Sequence, residues 1–137
     1  MPFIKVDLGD AQEQENVPEG SYDLRIIKVE DKDSKSGNPM TVCTIKVEDP
    51  EYANARLINH FIVQPSKDHT PEVKAMMILN TARFLHTFNI PYTDQGYNSD
   101  DLQGATASDV LVKLEPSADN ETILFNRVVP GPLPKEG

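Results

Sequence analysis

Hydrophobic and polar positions alternate with a period of two through residues 22–30, 41–48 and 56–64. They shift to a helical period through residues 73–88, then return to a period of two in residues 108–115 and 122–129. In the first segment the apolar parity runs through Tyr22, Leu24 and Ile26, then switches to Ile27 and Val29. A switch of parity inside one strand is the trace a β-bulge leaves in a sequence. The second segment, Thr41-Val42-Cys43-Thr44-Ile45-Lys46-Val47-Glu48, is rich in β-branched residues and puts Cys43, Ile45 and Val47 on its core face. The third is ambiguous, with Leu57, Asn59, Phe61 and Val63 on one side and Arg56, Ile58, His60 and Ile62 on the other. Because Arg56 is costly to bury, the expected arrangement has Arg56 and His60 outward and Phe61 inward. Thr70-Pro71-Glu72 supplies an N-cap, a first-turn proline and an acid at the positive helix end. Val73, Met76, Met77, Ile78, Leu79, Ala82, Phe84, Leu85 and Phe88 then form one broad apolar band, stopped by Asn89-Ile90-Pro91. The fourth strand turns Val110, Val112 and Leu114 to one side.

Turn chemistry separates these elements: Ser36-Gly37-Asn38-Pro39 after the first strand and Asp49-Pro50-Glu51-Tyr52 after the second. Residues 92–100 read as a polar loop, and Asp101-Leu102-Gln103-Gly104 as a short helical turn with Asp100 as its cap. Residues 1–19 read as a flexible, polar arm ended by Val17-Pro18-Glu19-Gly20, although Phe3-Ile4-Lys5-Val6 alternates as an edge strand would. Residues 20–129 form the domain, and 130–137 a Pro/Gly-rich tail. Three strands, one helix and two strands (β-β-β-α-β-β), with a bulged first strand, predict an all-β protein with one helix: the five-stranded Greek-key barrel called the OB-fold. The bulge would let the first strand pair with both halves of the barrel, and the helix would plug its open end. An α+β sandwich with the same element order is the structural rival.

Composition narrows the class. The chain has 137 residues, 38% hydrophobic and 26% charged, which suits one globular domain. No apolar run approaches the roughly 20 residues of a membrane span. The start, Met1-Pro2-Phe3-Ile4-Lys5, lacks the grammar of a secretion signal, and the single Cys43 excludes an internal disulfide. The expected setting is therefore reduced and cytoplasmic. Net charge is −9, distributed as −4 in residues 1–19, zero in 20–67 and −5 in 68–137. An acidic total argues against a nucleic-acid partner, but the neutral middle can still gather its cations on one face.

Candidate chemistry points to binding. His60, His69 and His86 fall in a strand, a loop and a helix with no ligand spacing, and no phosphate-binding loop or nucleophile motif occurs. Cys43 reads as a buried apolar thiol. Asp100-Asp101 has the chemistry to hold Mg²⁺, but fits a helix start better. No enzyme activity, metal or other cofactor is expected. The cations Arg25, Lys28, Lys32, Lys35, Lys46, Arg56 and Lys67 fall on the first three strands and their loops, where an OB-fold holds oligonucleotides. The plainer reading makes them solvated counterparts of Asp31, Asp33, Glu48 and Glu51. Tyr52 is the best exposed stacking candidate, with His60 second and Phe125 or Arg127 as a further platform.

The run Val17-Pro18-Glu19-Gly20-Ser21-Tyr22, the turn Ser34-Lys35-Ser36-Gly37-Asn38-Pro39-Met40, Tyr52 with Arg56, and Asp101-Leu102-Gln103-Gly104 together resemble a family of phage-encoded single-stranded DNA-binding proteins. The resemblance implies an OB-fold that coats single-stranded DNA during phage replication or recombination, in the cytoplasm of an infected host. It sets Lys35, Tyr52 and Arg56 near the nucleic-acid face. The expected function is sequence-tolerant single-stranded DNA binding through Arg25, Lys28, Lys35, Lys46, Tyr52, Arg56, His60 and Lys67. Replication or recombination proteins are candidate partners, and a free strand edge leaves room for a homo-oligomer. The acidic arm is expected to dock such a partner or to compete with DNA. The alternative function is an OB-type protein-interaction module with an acidic surface and no nucleic-acid binding. A metal-dependent nuclease, dependent on Asp101, is the third.

Overall fold

The computed structural model describes residues 3–5, 9, 15–35, 37–116 and 124–133. A 14-residue strand, β1 (Gly20–Asp33), is the spine of the sheet. Its C-terminal part pairs antiparallel with β2 (Pro39–Val47) and its N-terminal part with β6 (Thr106–Pro116). β2 continues to β3 (Ile58–Val63), and β6 to β7 (Leu124–Val129), giving the order β3-β2-β1-β6-β7.

The parity switch at Ile26–Ile27 is where the β1–β2 register shifts, between Ile26 and Lys28. A second shift, between Tyr22 and Leu24, faces β6. There Asp109 adopts a left-handed φ of 57° and its N–H donates to the Asp23 carboxylate at 3.1 Å. Extra residues of this kind bend and twist a strand. The two edges consequently come to face each other. The Arg56 guanidinium lies 5.9 Å from the centre of the Phe125 ring. Further along both strands, His60, Phe61, Ile62 and Val63 line one cavity with Arg127 and Val128. β3 and β7 therefore run side by side in the same direction, and among the described residues no ladder joins them.

The helix α1 (Pro71–Thr87) follows β3 and is capped as expected, the Thr70 hydroxyl accepting the Val73 N–H at 3.2 Å. Its apolar band does not all go inward. Phe84 and Leu85, with Phe88 at the cap, enter the core, but Val73, Met76 and Ile78 near its start stay exposed. The loop expected over residues 92–100 contains a small hairpin, β4 (Tyr92–Thr93) and β5 (Gly96–Tyr97). The next helical turn is Ser99–Leu102 and is capped by Asn98, not Asp100. The hairpin is tied to the sheet through Thr41, whose buried hydroxyl bonds the Asp31 carboxylate at 2.8 Å and the Tyr97 hydroxyl at 3.0 Å.

The core lies on the face of the sheet that receives α1, with Leu24, Ile26, Cys43, Ile45, Val47, Ile58, Ile62, Val110, Val112 and Val128 packed beside Phe84 and Phe88. Val17 is also there, 1% exposed. Asn126 holds it from β7, accepting the Val17 N–H at 2.8 Å and donating to its carbonyl at 2.9 Å. Asn16 donates to the Leu124 carbonyl at 2.6 Å, and the Glu15 carbonyl accepts the Arg56 N–H at 2.9 Å. Residues 15–17 thus strap the start of β3 to β7 and belong to the folded unit, so the expected boundary after residue 19 lies too late. Phe3 and Ile4 are exposed and in no strand. Most of the remaining arm, the end of the tail and residues 117–123 lie outside the described residues. Among the described residues, no helix is long and apolar enough to cross a membrane.

Candidate nucleic-acid interface

Residues paired across an antiparallel ladder share a face, so the registers assemble the outer surface of β1, β2 and β3 row by row. One row is Arg25 and Lys46. The next is Lys28, Thr44 and Asn59, followed by Glu30, Val42 and Phe61, then Lys32, Met40 and Val63. Successive rows lie about 6.8 Å apart, and strands about 4.8 Å apart. The face therefore has a basic column on β1, a mixed column on β2 and a column on β3 with an aromatic ring. Arg25 is held by Glu48 in an ion pair. Among the described residues, Lys28, Lys32 and Lys46 form no ion pair.

The parity of β3 is the reverse of the expected one. Ile58 and Ile62 are buried, and His60 lies between them, its ring stacked on Phe84 with centroids 4.0 Å apart and planes 5° from parallel. Loss of hydration, reinforced by the Arg127 charge, lowers its pKa from 6.5 to about 4. His60 is thus a neutral ring of the core wall, not an outward stacking group. Phe61 faces solvent with 54% of its surface exposed. Arg56, although on the His60 side, escapes burial because it precedes β3 at the open edge, where it covers Phe125. Such a guanidinium–ring contact is a cation–π interaction.

Tyr52 also differs from expectation. It sits at the end of the helical turn Pro50–Tyr52, half-buried, its ring 5.6 Å from that of Tyr22 and nearly perpendicular. Proximity to Tyr52 adds to burial in raising the Tyr22 pKa. Tyr52 is therefore partly packed against the core instead of fully exposed in its turn. Lys35 is exposed in the β1–β2 turn, where Gly37 takes a φ of 84° that suits glycine. This turn adjoins the Lys32 end of the face. Lys67 is exposed beyond β3, in the turn closed by Ser66 and His69, off the ladder rows.

The structure thus brings Arg25, Lys28 and Lys46 onto one surface, with Lys35 at its end and Arg56 at its edge. Lys32, counted among the cations of this region from the sequence, joins the same face, and the structure adds Phe61, Asn59 and Glu30, which were not among the expected binding residues. Phe61 was hidden by the parity argument, and the signal for it lay in the partner strand. Once Cys43 and Ile45 face the core, their ladder partners His60 and Ile58 must do so as well. On β7, Leu124 and Phe125 are each 44% exposed, and Phe125 is the ring beneath Arg56.

Cys43 is buried with its pKa pushed up to about 12, first by loss of hydration and then by Asp31, which suits an inert thiol. Asp101 is exposed, and among the described residues no three His, Cys, Asp or Glu side chains gather as a metal site. No curated protein sequence matches the chain. The family model described as "Protein of unknown function (DUF669)" matches residues 4–128, which include the helix and the whole sheet but for the last residue of β7, and the chain belongs to that family.

Proposed function

We propose that this protein binds single-stranded DNA, with little dependence on sequence, on the outer face of β1, β2 and β3. The observation that carries the reading is the placing of Arg25, Lys28, Lys32 and Lys46 on the same surface as exposed Phe61. Single-strand binders combine cations that follow the backbone with rings on which bases stack. Phosphates follow the β1 column while a base lies on Phe61. The two-residue row spacing suits an extended strand.

We read the five-stranded sheet as an OB-fold, curled until β3 meets β7, with α1 below and the strap at residues 15–17 across the seam. That fold uses the equivalent face for oligonucleotides. The resemblance to phage single-stranded DNA-binding proteins extends the reading to phage replication or recombination in the cytoplasm of the host, without catalysis or a cofactor. Exposed Val73 and Met76, one turn apart on the same side of α1, favour a second role, docking of a replication or recombination protein. The test is fluorescence anisotropy of labelled single-stranded DNA, double-stranded DNA and single-stranded RNA at two salt concentrations. Micromolar or tighter binding to single strands, weakened by salt, is expected. No binding at low salt would overturn the reading in favour of a protein-interaction module, and Mg²⁺-dependent cleavage lost in Asp101→Ala would replace it with a nuclease.

A further inference from the structure

Among the described residues no ladder joins β3 to β7, and the gap between the two strands opens a cleft of about 340 Å³. That is the small end of the range, roughly 300–1,000 Å³, in which small-molecule sites fall, and it suits a single base. Phe61 lines the cleft from β3 and Arg127 from β7, both exposed. Met77, Asn80 and Thr81 line it from α1. With Phe84, whose ring stacks on His60, they are spaced three, four and seven residues apart and share the helix face turned to the seam.

The chemistry of this lining fits a base better than a phosphate. Arg127 is its one charged member, and the Glu115 carboxylate already takes the Arg127 Nε at 2.8 Å. The guanidinium is thereby fixed, while its plane stays available for stacking. The other polar groups are neutral. The Thr81 hydroxyl donates to the Met77 carbonyl at 2.9 Å, which leaves its lone pairs as acceptors. His60 also lines the cleft and is uncharged, so its ring carries one donor and one acceptor. Asn80, exposed on α1, carries an amide with both functions. Phe61 belongs both to this cleft and to the outer face of the sheet, so a strand lying on that face passes the opening. Turning a base inward costs least in a strand that has no partner to unpair. Resting on the single-strand-binding reading, we infer that the cleft receives one base of the bound strand, turned in past Phe61 and Arg127, with Asn80 and His60 meeting its edge. Groups that both donate and accept suit any base, so the insertion is indifferent to sequence.

The test is anisotropy titration, at low salt, of labelled oligo-dT and of an abasic deoxyribose-phosphate oligomer of equal length. Both are titrated with the full-length protein and its Asn80→Ala variant. Asn80 lies on α1, away from the rows of the sheet, and alanine suits an exposed helix position, so the fold is kept. The variant is expected to bind oligo-dT about fivefold more weakly, the worth of one hydrogen bond, and the abasic oligomer as well as the wild type does. Unchanged binding of oligo-dT by the variant overturns the inference. An equal loss on both oligomers also overturns it, since Asn80 would then act on the backbone or the fold. Independently, the Asn80 side-chain amide signals, assigned by their loss in Asn80→Ala, should shift when oligo-dT is added to the wild type and stay in place with the abasic oligomer. No shift with oligo-dT overturns the inference. Failure of the wild type to bind oligo-dT at all instead overturns the DNA-binding reading itself.

Discussion

A shift of one position along β3 decides which ring meets solvent. Ile58, His60 and Ile62 go inward because their ladder partners on β2 include Cys43 and Ile45, which are fully buried. The His60 imidazole is accommodated there by stacking on Phe84 and by giving up its charge. A lowered pKa means that the unfolded chain takes the proton first. His60 therefore costs no stability above pH 6.5, destabilises progressively as pH falls through 6.5 toward about 4, and reaches its full effect below that. Thermal melts across this range should show a shallower loss for His60→Gln than for the wild type. Cys43 gives a second test at this scale. Its thiol should resist a thiol reagent in native protein and react promptly in denaturant. The cations of β1 were legible from alternation alone, because charged residues on a strand go to solvent. Phe61 was not, because both sides of β3 carry apolar groups and Arg56 was weighed as if it lay within the strand.

Local signals served well for whole elements. The bulge in β1 follows from five apolar residues, and the start of α1 from Thr70-Pro71-Glu72. Thr70→Ala should cost about 1 kcal/mol, readable in denaturant melts. Contacts between residues far apart in sequence were out of reach. Nothing near Val17 announces that Asn126 will grip its backbone from both sides. Asn126→Ala should destabilise by about 2 kcal/mol, since it leaves part-buried backbone groups unpaired. A loss under 0.5 kcal/mol would mean the strap adds nothing to the fold. The helical spacing gives one broad apolar band on α1, but only Phe84, Leu85 and Phe88 of it are buried, while Val73, Met76 and Ile78 are exposed. The hairpin at residues 92–97 was missed because strands of two residues carry no periodicity.

At the scale of the molecule, a net charge of −9 is compatible with the proposed DNA-binding face because the charge is segregated. The ladder gathers Arg25, Lys28, Lys32 and Lys46 on one surface, whereas the acidic excess belongs to the two ends of the sequence. Contact with about four phosphates predicts that log K falls against log salt with a slope of roughly −3. On the proposed reading Phe61 acts through stacking, which releases no counterions, so its loss should change affinity without changing that slope. The decisive measurement is a salt series of single-stranded DNA binding by the wild type and Phe61→Ala. Binding by the variant is expected to be about tenfold weaker and to run parallel to the wild type across the series. Wild-type affinity in Phe61→Ala, or a wild-type affinity indifferent to salt, would contradict it.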